Sequence, residues 1–171
     1  MIQAGAPPPP GIHRMILSRF WGRNERSLGL TIIELLIVVM IMATLASLGV
    51  PLYANTLNNA RVTKAVADIR GVEKEILVFQ LFNGTFPTNL NQIGRDTLRD
   101  PYGNPYSYLK VEGAKIGNLR KDAKLAPINS DFDLYSMGRD GQSASALTAK
   151  QSWDDIVRAS DGGYVGIASE Y

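Results

Sequence analysis

Hydrophobic positions along this chain fall into three regimes. From Leu30 to Val50 they are nearly continuous: LTIIELLIVVMIMATLASLGV, 21 residues with one charge, Glu34. At 1.5 Å rise per residue the run spans roughly 30 Å, the thickness of a bilayer's hydrocarbon core. It is apolar on all faces, which suits lipid better than the half-buried surface of a soluble helix. The second regime is periodic. Val62, Val66, Ile69, Val72, Ile76 and Phe79 recur every three or four residues, with Arg61, Lys64, Asp68, Lys74 and Glu75 mostly on the other side. The spacing predicts an amphipathic continuation of the same helix, with one face laid on a globular domain. Pro51 removes a backbone hydrogen bond there and is expected to bend the helix or melt it locally. Asn83-Gly84 closes it, glycine suiting the left-handed cap. A helix from Leu30 to about Phe82 is roughly 80 Å long.

The third regime, after Gly84, is short and alternating. Phe86 to Ile93 reads as a loop with a short helix. Asp100-Pro101-Tyr102-Gly103-Asn104-Pro105-Tyr106 is a dense turn signal leading into a strand over Tyr106 to Val111. Asp131 to Met137 alternates like a second strand, Gly138-Arg139-Asp140-Gly141 turns the chain, and Gln142 to Gln151 is small and polar, a surface loop. A short helix is expected from Asp155 toward Ala159, then a last strand over Tyr164 to Ala168. A few antiparallel strands packed on one long helix make an α+β fold with a C-terminal loop region. The chain thus divides into a basic leader (1–29), a transmembrane half-helix (30–50), an amphipathic half-helix (51–83) and a globular region (84–171).

Charge adds direction. The net charge is +2 over 171 residues, which gives no global pull toward nucleic acid. Before Leu30, however, Arg14, Arg19, Arg23 and Arg26 face only Glu25; from Leu30 onward 14 basic residues meet 15 acidic ones. The positive-inside rule places the N-terminus in the cytoplasm and the C-terminal domain outside. A secretory signal peptide is the competing reading, since Ala43, Ala46 and Ser47 offer small residues for a cut after the apolar run.

Composition removes several chemistries. With no cysteine there is no disulfide, thiol catalysis or iron–sulfur cluster, and with one histidine, His13, neither a multi-histidine metal site nor a serine–histidine triad fits. No Gly-x-x-x-x-Gly-Lys phosphate loop is present. Asp131 and Asp133, at alternating strand positions, point the same way and could share an acid–base site; a solvated face is the commoner outcome, and the chain is read as not an enzyme.

Glu34 carries the most information. An ionised carboxylate near a bilayer centre costs about 2.5–3.5 kcal/mol on insertion scales. One reading is an interfacial acid reaching the headgroups. The other is an acid that awaits a cation. Cutting the chain after Gly29 would create a free α-amino group, and a neighbouring copy's amine could then neutralise Glu34.

At these residues a family is recognisable. Gly29-Leu30-Thr31-Ile32-Ile33-Glu34-Leu35-Leu36 resembles the cleavage and methylation motif of type IV prepilins and pseudopilins. The resemblance implies that a prepilin peptidase cuts between Gly29 and Leu30 and methylates Leu30, that Glu34 sets subunit register, and that Pro51 is the helix proline pilins commonly carry. Leu30 stands where the family usually has phenylalanine or methionine. The 29-residue leader is long for the family, its Ala-Gly-Ala-Pro-Pro-Pro-Pro start reads as disordered, and Met15 is an alternative start. Asp100 to Tyr106 together with Leu134 to Gly141 (LYSMGRDG) resembles the major pseudopilin of type II secretion systems. That implies a pilin-like fold and a homo-oligomeric helical fibre growing from the inner membrane into the periplasm. It also implies partners in an inner-membrane platform and minor pseudopilins, and a role in protein export. A type IV pilus pilin for adhesion, motility or DNA uptake is the alternative; such pilins commonly carry a C-terminal disulfide loop.

The resemblance also implies calcium. Asp140, Asp154 and Asp155 lie after the second strand, with Asp161 following, and calcium takes six to eight oxygens from such loops. The family site carries onto Asp140 and Asp155, with Asp154 beside them and carbonyls from Met137 and Ser136. Helix capping by Asp154-Asp155 is the competing reading. The loop is longer than in the usual family member.

Overall fold

The computed structural model describes residues 29–171; the basic leader, His13 and Met15 lie outside the described residues. The chain divides between Ala43 and Thr44 into two compact units, and the first helix, α1 (Ile32–Asn83), contributes to both.

α1 starts on Thr31. Its hydroxyl accepts the Glu34 N–H at 3.2 Å and its carbonyl accepts the Leu35 N–H, the N-terminal half of a capping box. Gly29 and Leu30 precede the helix, exposed and non-helical. Through the apolar run every side chain is exposed, and α1 is long and apolar enough to cross a membrane. The helix continues through Pro51 without interruption, so the local melting expected there does not occur. One lost i→i−4 bond is outweighed by the helical residues on both sides.

The amphipathic half buries Ala65, Ile69, Val72 and Ile76 at four- and three-residue spacing. They pack on Leu90, Tyr106, Phe132, Leu134 and Ile156, with Val62 and Val66 partly buried beside them; Phe79 sits at the margin. Full burial of an isoleucine such as Ile69 or Ile76 contributes roughly 1.5–3 kcal/mol. Gly84, at φ 71°, stops the helix as expected, its N–H returning to Gln80.

The sheet is antiparallel, in the order β1-β2-β3-β4: β1 Ser107–Lys110, β2 Phe132–Ser136, β3 Ile156–Ala159 and β4 Tyr164–Ile167. Its fold class is α+β, as expected. The short helix expected after Asp155 is instead β3. Ile156 and Val157 are β-branched, all four residues of β3 are buried, and the strand pairs with β2 on one side and β4 on the other. Alternation along β3 sends Ile156 to the helix-covered core, while Val157 and Ala159 join Ile128, Leu147 and Ala168 in a second cluster. The surface loop expected over Gln142 to Gln151 accordingly buries Leu147 within it.

A buried ion network ties α1 to the sheet. Arg158 on β3 donates through Nε to Glu73 of α1 at 2.7 Å, through both Nη atoms to Asp131, and to the Phe132 carbonyl at 3.0 Å. Arg70 reaches Glu73 and the Gly162 carbonyl. Gly162 has φ +89°, and a Cβ there would lie 2.1 Å from Glu73 Oε1. Gly162→Ala should therefore lower stability by about 1–3 kcal/mol through backbone strain alone, and by more through displacement of Glu73. A denaturation midpoint equal to wild type would show that neither effect operates.

Candidate functional site

Two places bear on function: the start of α1 and the loop between β2 and β3.

At the start of α1, Gly29 and Leu30 form an exposed stub one residue ahead of the cap; Leu30 is 71% exposed. A cut between them would leave Thr31 in place as N-cap and the helix intact. Glu34 occupies the first turn, where the positive end of the helix favours an anion. Among the described residues no cation pairs with it. Pro51 lies well along the helix.

The second site is built by the two turns that carry the pseudopilin resemblance, and the structure brings them together. Asp100, 5% exposed, organises the first turn: one carboxylate oxygen accepts the N–H groups of Tyr102 (3.0 Å) and Asn104 (2.7 Å), the other the Ser136 hydroxyl at 2.5 Å. Asn104 in turn donates its side-chain amide to the Gly138 carbonyl at 2.9 Å, and Ser136 accepts the Gly138 N–H. Gly138 has φ +64°, and a Cβ there would strike the Asp154 carbonyl oxygen at 2.3 Å, so only glycine fits between the strand end and Asp154.

The residues expected to bind calcium sit as follows. Ser136 ends β2 with its hydroxyl engaged by Asp100, and Met137 follows it. Asp154 Oδ2 accepts the N–H groups of Arg139 and Asp140 at 2.7 and 3.1 Å. Asp140 is exposed and caps the Gln142 N–H. Asp155 is fully buried, with Oδ2 held by Arg120 Nη2 and the Ser143 hydroxyl, each at 2.6 Å. Burial pushes the Asp155 carboxyl up, against the pull of Ser143 and Arg120. Its Oδ1 is buried without a partner, one oxygen available to a cation. Among the described residues no three acids or histidines converge as a metal site would require. A guanidinium stands beside the buried carboxylate, and the other two acids bind backbone N–H groups. In this arrangement the residues present do not fit a calcium ion. Asp154 and Asp155 cap no helix either, since β3 follows.

Asp131 and Asp133 do not share a site. Asp131 precedes β2 and gives both oxygens to Arg158, whereas Asp133 accepts the Arg120 N–H at 2.8 Å and the Asn129 amide at 3.0 Å. Burial pushes the Asp133 carboxyl up, opposed by those two donors. Asp161 lies in the turn before β4, where burial pushes its carboxyl up but the Ser130 N–H and hydroxyl, together with Asp131 and Arg158, hold it below the ordinary range. Arg120, Glu73 and Arg158 were not singled out from sequence. The available signal was Glu73 inside the apolar stripe and Arg158 inside Ile156-Val157-Arg158-Ala159: charges at positions where the pattern demands burial.

Comparison with curated proteins gives consistent relatives. The type II secretion system core protein G of Pseudomonas aeruginosa is 31% identical over 141 residues, 70% of this chain and 88% of the relative. That of Klebsiella pneumoniae is 30% identical over 118 residues, 69% of this chain and 81% of the relative. A fimbrial protein of Neisseria meningitidis is 25% identical over 148 residues, 80% and 85% respectively. No family model and no solved structure matches the chain.

Proposed function

The chain belongs to the core protein G family of type II secretion systems, the major pseudopilins, and from that premise we propose how its residues serve a pseudopilus. It is a pseudopilin and a component of a secretion machinery, with one N-terminal apolar helix that fits a single-pass inner-membrane protein. The peptidase of the inner membrane cuts between Gly29 and Leu30 and methylates the Leu30 amine. The basic leader stays in the cytoplasm until that cut, and the domain after α1 faces the periplasm. Mature copies leave the bilayer side by side, α1 against α1, with Glu34 of one copy opposite the Leu30 amine of the next. The fibre grows from an inner-membrane platform, with minor pseudopilins as further partners.

The observation that supports this reading is the geometry of the first six described residues. An exposed Gly29-Leu30 stub is followed at once by a capped apolar helix with one carboxylate in its first turn. The role is mechanical rather than catalytic; Asp131 and Asp133, the pair considered as acid and base, are each held by other groups. The pilus-forming alternative draws on the fimbrial relative. It shares the same N-terminal physics, and the 30% relatives outweigh it.

Mass spectrometry of the protein purified from its own membranes is expected to give an N-terminus at Leu30 carrying one methyl group. A mature chain still beginning within residues 1–29 would overturn the proposed processing and, with it, the pairing of Glu34 with a new amine.

A further inference from the structure

We propose that Arg120 braces the β2–β3 loop of this chain in place of a divalent cation, and that the loop holds its shape without calcium. Arg120 comes from the segment before β2 and is 2% exposed. Its guanidinium binds three kinds of oxygen across the loop: the Asp155 carboxylate through Nη2 at 2.6 Å, and the Ser143 hydroxyl and the Ala144 carbonyl through Nη1. Carboxylate, hydroxyl and backbone carbonyl are the oxygen set a hard cation collects in irregular loops. Here one planar side chain collects them.

The bracing extends through the second half of the loop. The Ser143 hydroxyl also donates to Asp155 at 2.6 Å, and the Ser152 hydroxyl bridges the N–H and carbonyl of Ala144 at 2.9 and 3.0 Å. The Arg120 backbone N–H is fixed by Asp133, and its Cζ lies 4.4 Å from the centroid of the Tyr135 ring, which presents its face to the cation. The guanidinium is therefore positioned from β2 on one side and from the loop on the other.

Two features exclude a calcium ion from the same oxygens. A dication bound to Asp155 would face a buried positive charge already in contact with that carboxylate. The remaining acids add little: Asp154 Oδ2 already accepts the N–H groups of Arg139 and Asp140, Asp140 Oδ1 accepts that of Gln142, and among the described residues no three acids converge on one point. The unpartnered Asp155 Oδ1 is one oxygen against the six to eight that calcium needs, and the other unpartnered buried atom of the pair, Arg120 Nε, is a donor that repels a cation.

The test uses the full-length protein in detergent micelles, with thermal unfolding followed in excess EGTA and in millimolar calcium chloride. The expected result is the same Tm in both. A fall in Tm on chelation would overturn the proposal and favour a bound ion. Arg120→Ala is expected to lower Tm by roughly 10 °C in EGTA, by stranding a buried carboxylate in a domain of this size. If that variant keeps the wild-type Tm in EGTA, Arg120 is no brace and the proposal fails. If it does not fold at all, the wild-type comparison still decides, since it needs no variant.

Discussion

Arg158→Ala is expected to remove a large share of the stability of the globular unit. The side chain is 1% exposed and makes hydrogen bonds to Glu73, Asp131 and the Phe132 carbonyl, with its Cζ 4.0 Å from the centroid of the Phe132 ring. Burial works against the charged guanidinium, but the bonds to Asp131 and Glu73 outweigh it and hold the group above its ordinary range. Alanine at this position leaves Glu73 and Asp131 without their shared cation, Glu73 being 7% exposed. Breaking a buried pair from one side costs about 3–5 kcal/mol. Against total stabilities of about 5–15 kcal/mol, such a loss is a large share.

The same reasoning gives a control. Replacing Arg158 and its two acids by neutral groups removes the stranded charges, so Glu73→Met, Asp131→Asn and Arg158→Met together should be less destabilising than Arg158→Met by itself. Denaturation midpoints of full-length protein in detergent would measure both. A wild-type midpoint for Arg158→Ala would mean that the network contributes nothing. A triple variant weaker than the single one would mean that its value lies in the pairing rather than in relief of buried charge.

This network also shows where sequence reading reaches its limit. The membrane run, the stripe through Ile69, Val72 and Ile76, the turn from Asp100 to Tyr106 and three of the four strands follow from local patterns. In each, the residues announce their own environment: continuous apolar side chains, a helical period, turn formers, alternation. β3 does not announce itself. Its four residues include Arg158, and Asp154-Asp155 before it looks like the start of a helix. Only the pairing partners β2 and β4, and Glu73 some eighty residues earlier in the chain, make a buried arginine acceptable there. The candidate sites divide in the same way. Gly29, Leu30 and Glu34 are proposed from sequence alone because the pattern that singles them out spans six adjacent residues. The role of Asp155 was not, because its partner Arg120 lies 35 positions away and belongs to no motif.

Glu34→Val is expected to insert normally and assemble poorly. The substitution removes the one charge from the apolar run between Leu30 and Val50, so partition into the membrane should be unchanged or improved. The helix itself should tolerate it, since Thr31 caps α1 through the backbone N–H of residue 34, which valine retains. What valine cannot do is meet a cation. If the mature amine at Leu30 of one copy approaches the residue at 34 of the next, the variant places an unmatched ammonium group in a low-dielectric contact, and the subunit loses its preferred stagger. Fibre recovered by shearing should then fall by roughly tenfold or more, the factor that accompanies about 1.4 kcal/mol at each subunit contact. Glu34→Asp keeps the charge on a side chain one carbon shorter and should retain part of the yield, whereas Glu34→Gln, of nearly equal size but neutral, should behave like valine. Quantifying each variant in the membrane fraction and in the sheared fraction separates insertion from assembly. Equal fibre yields from glutamate, glutamine and valine would show that hydrophobic packing of α1 sets the stagger without help from the acid.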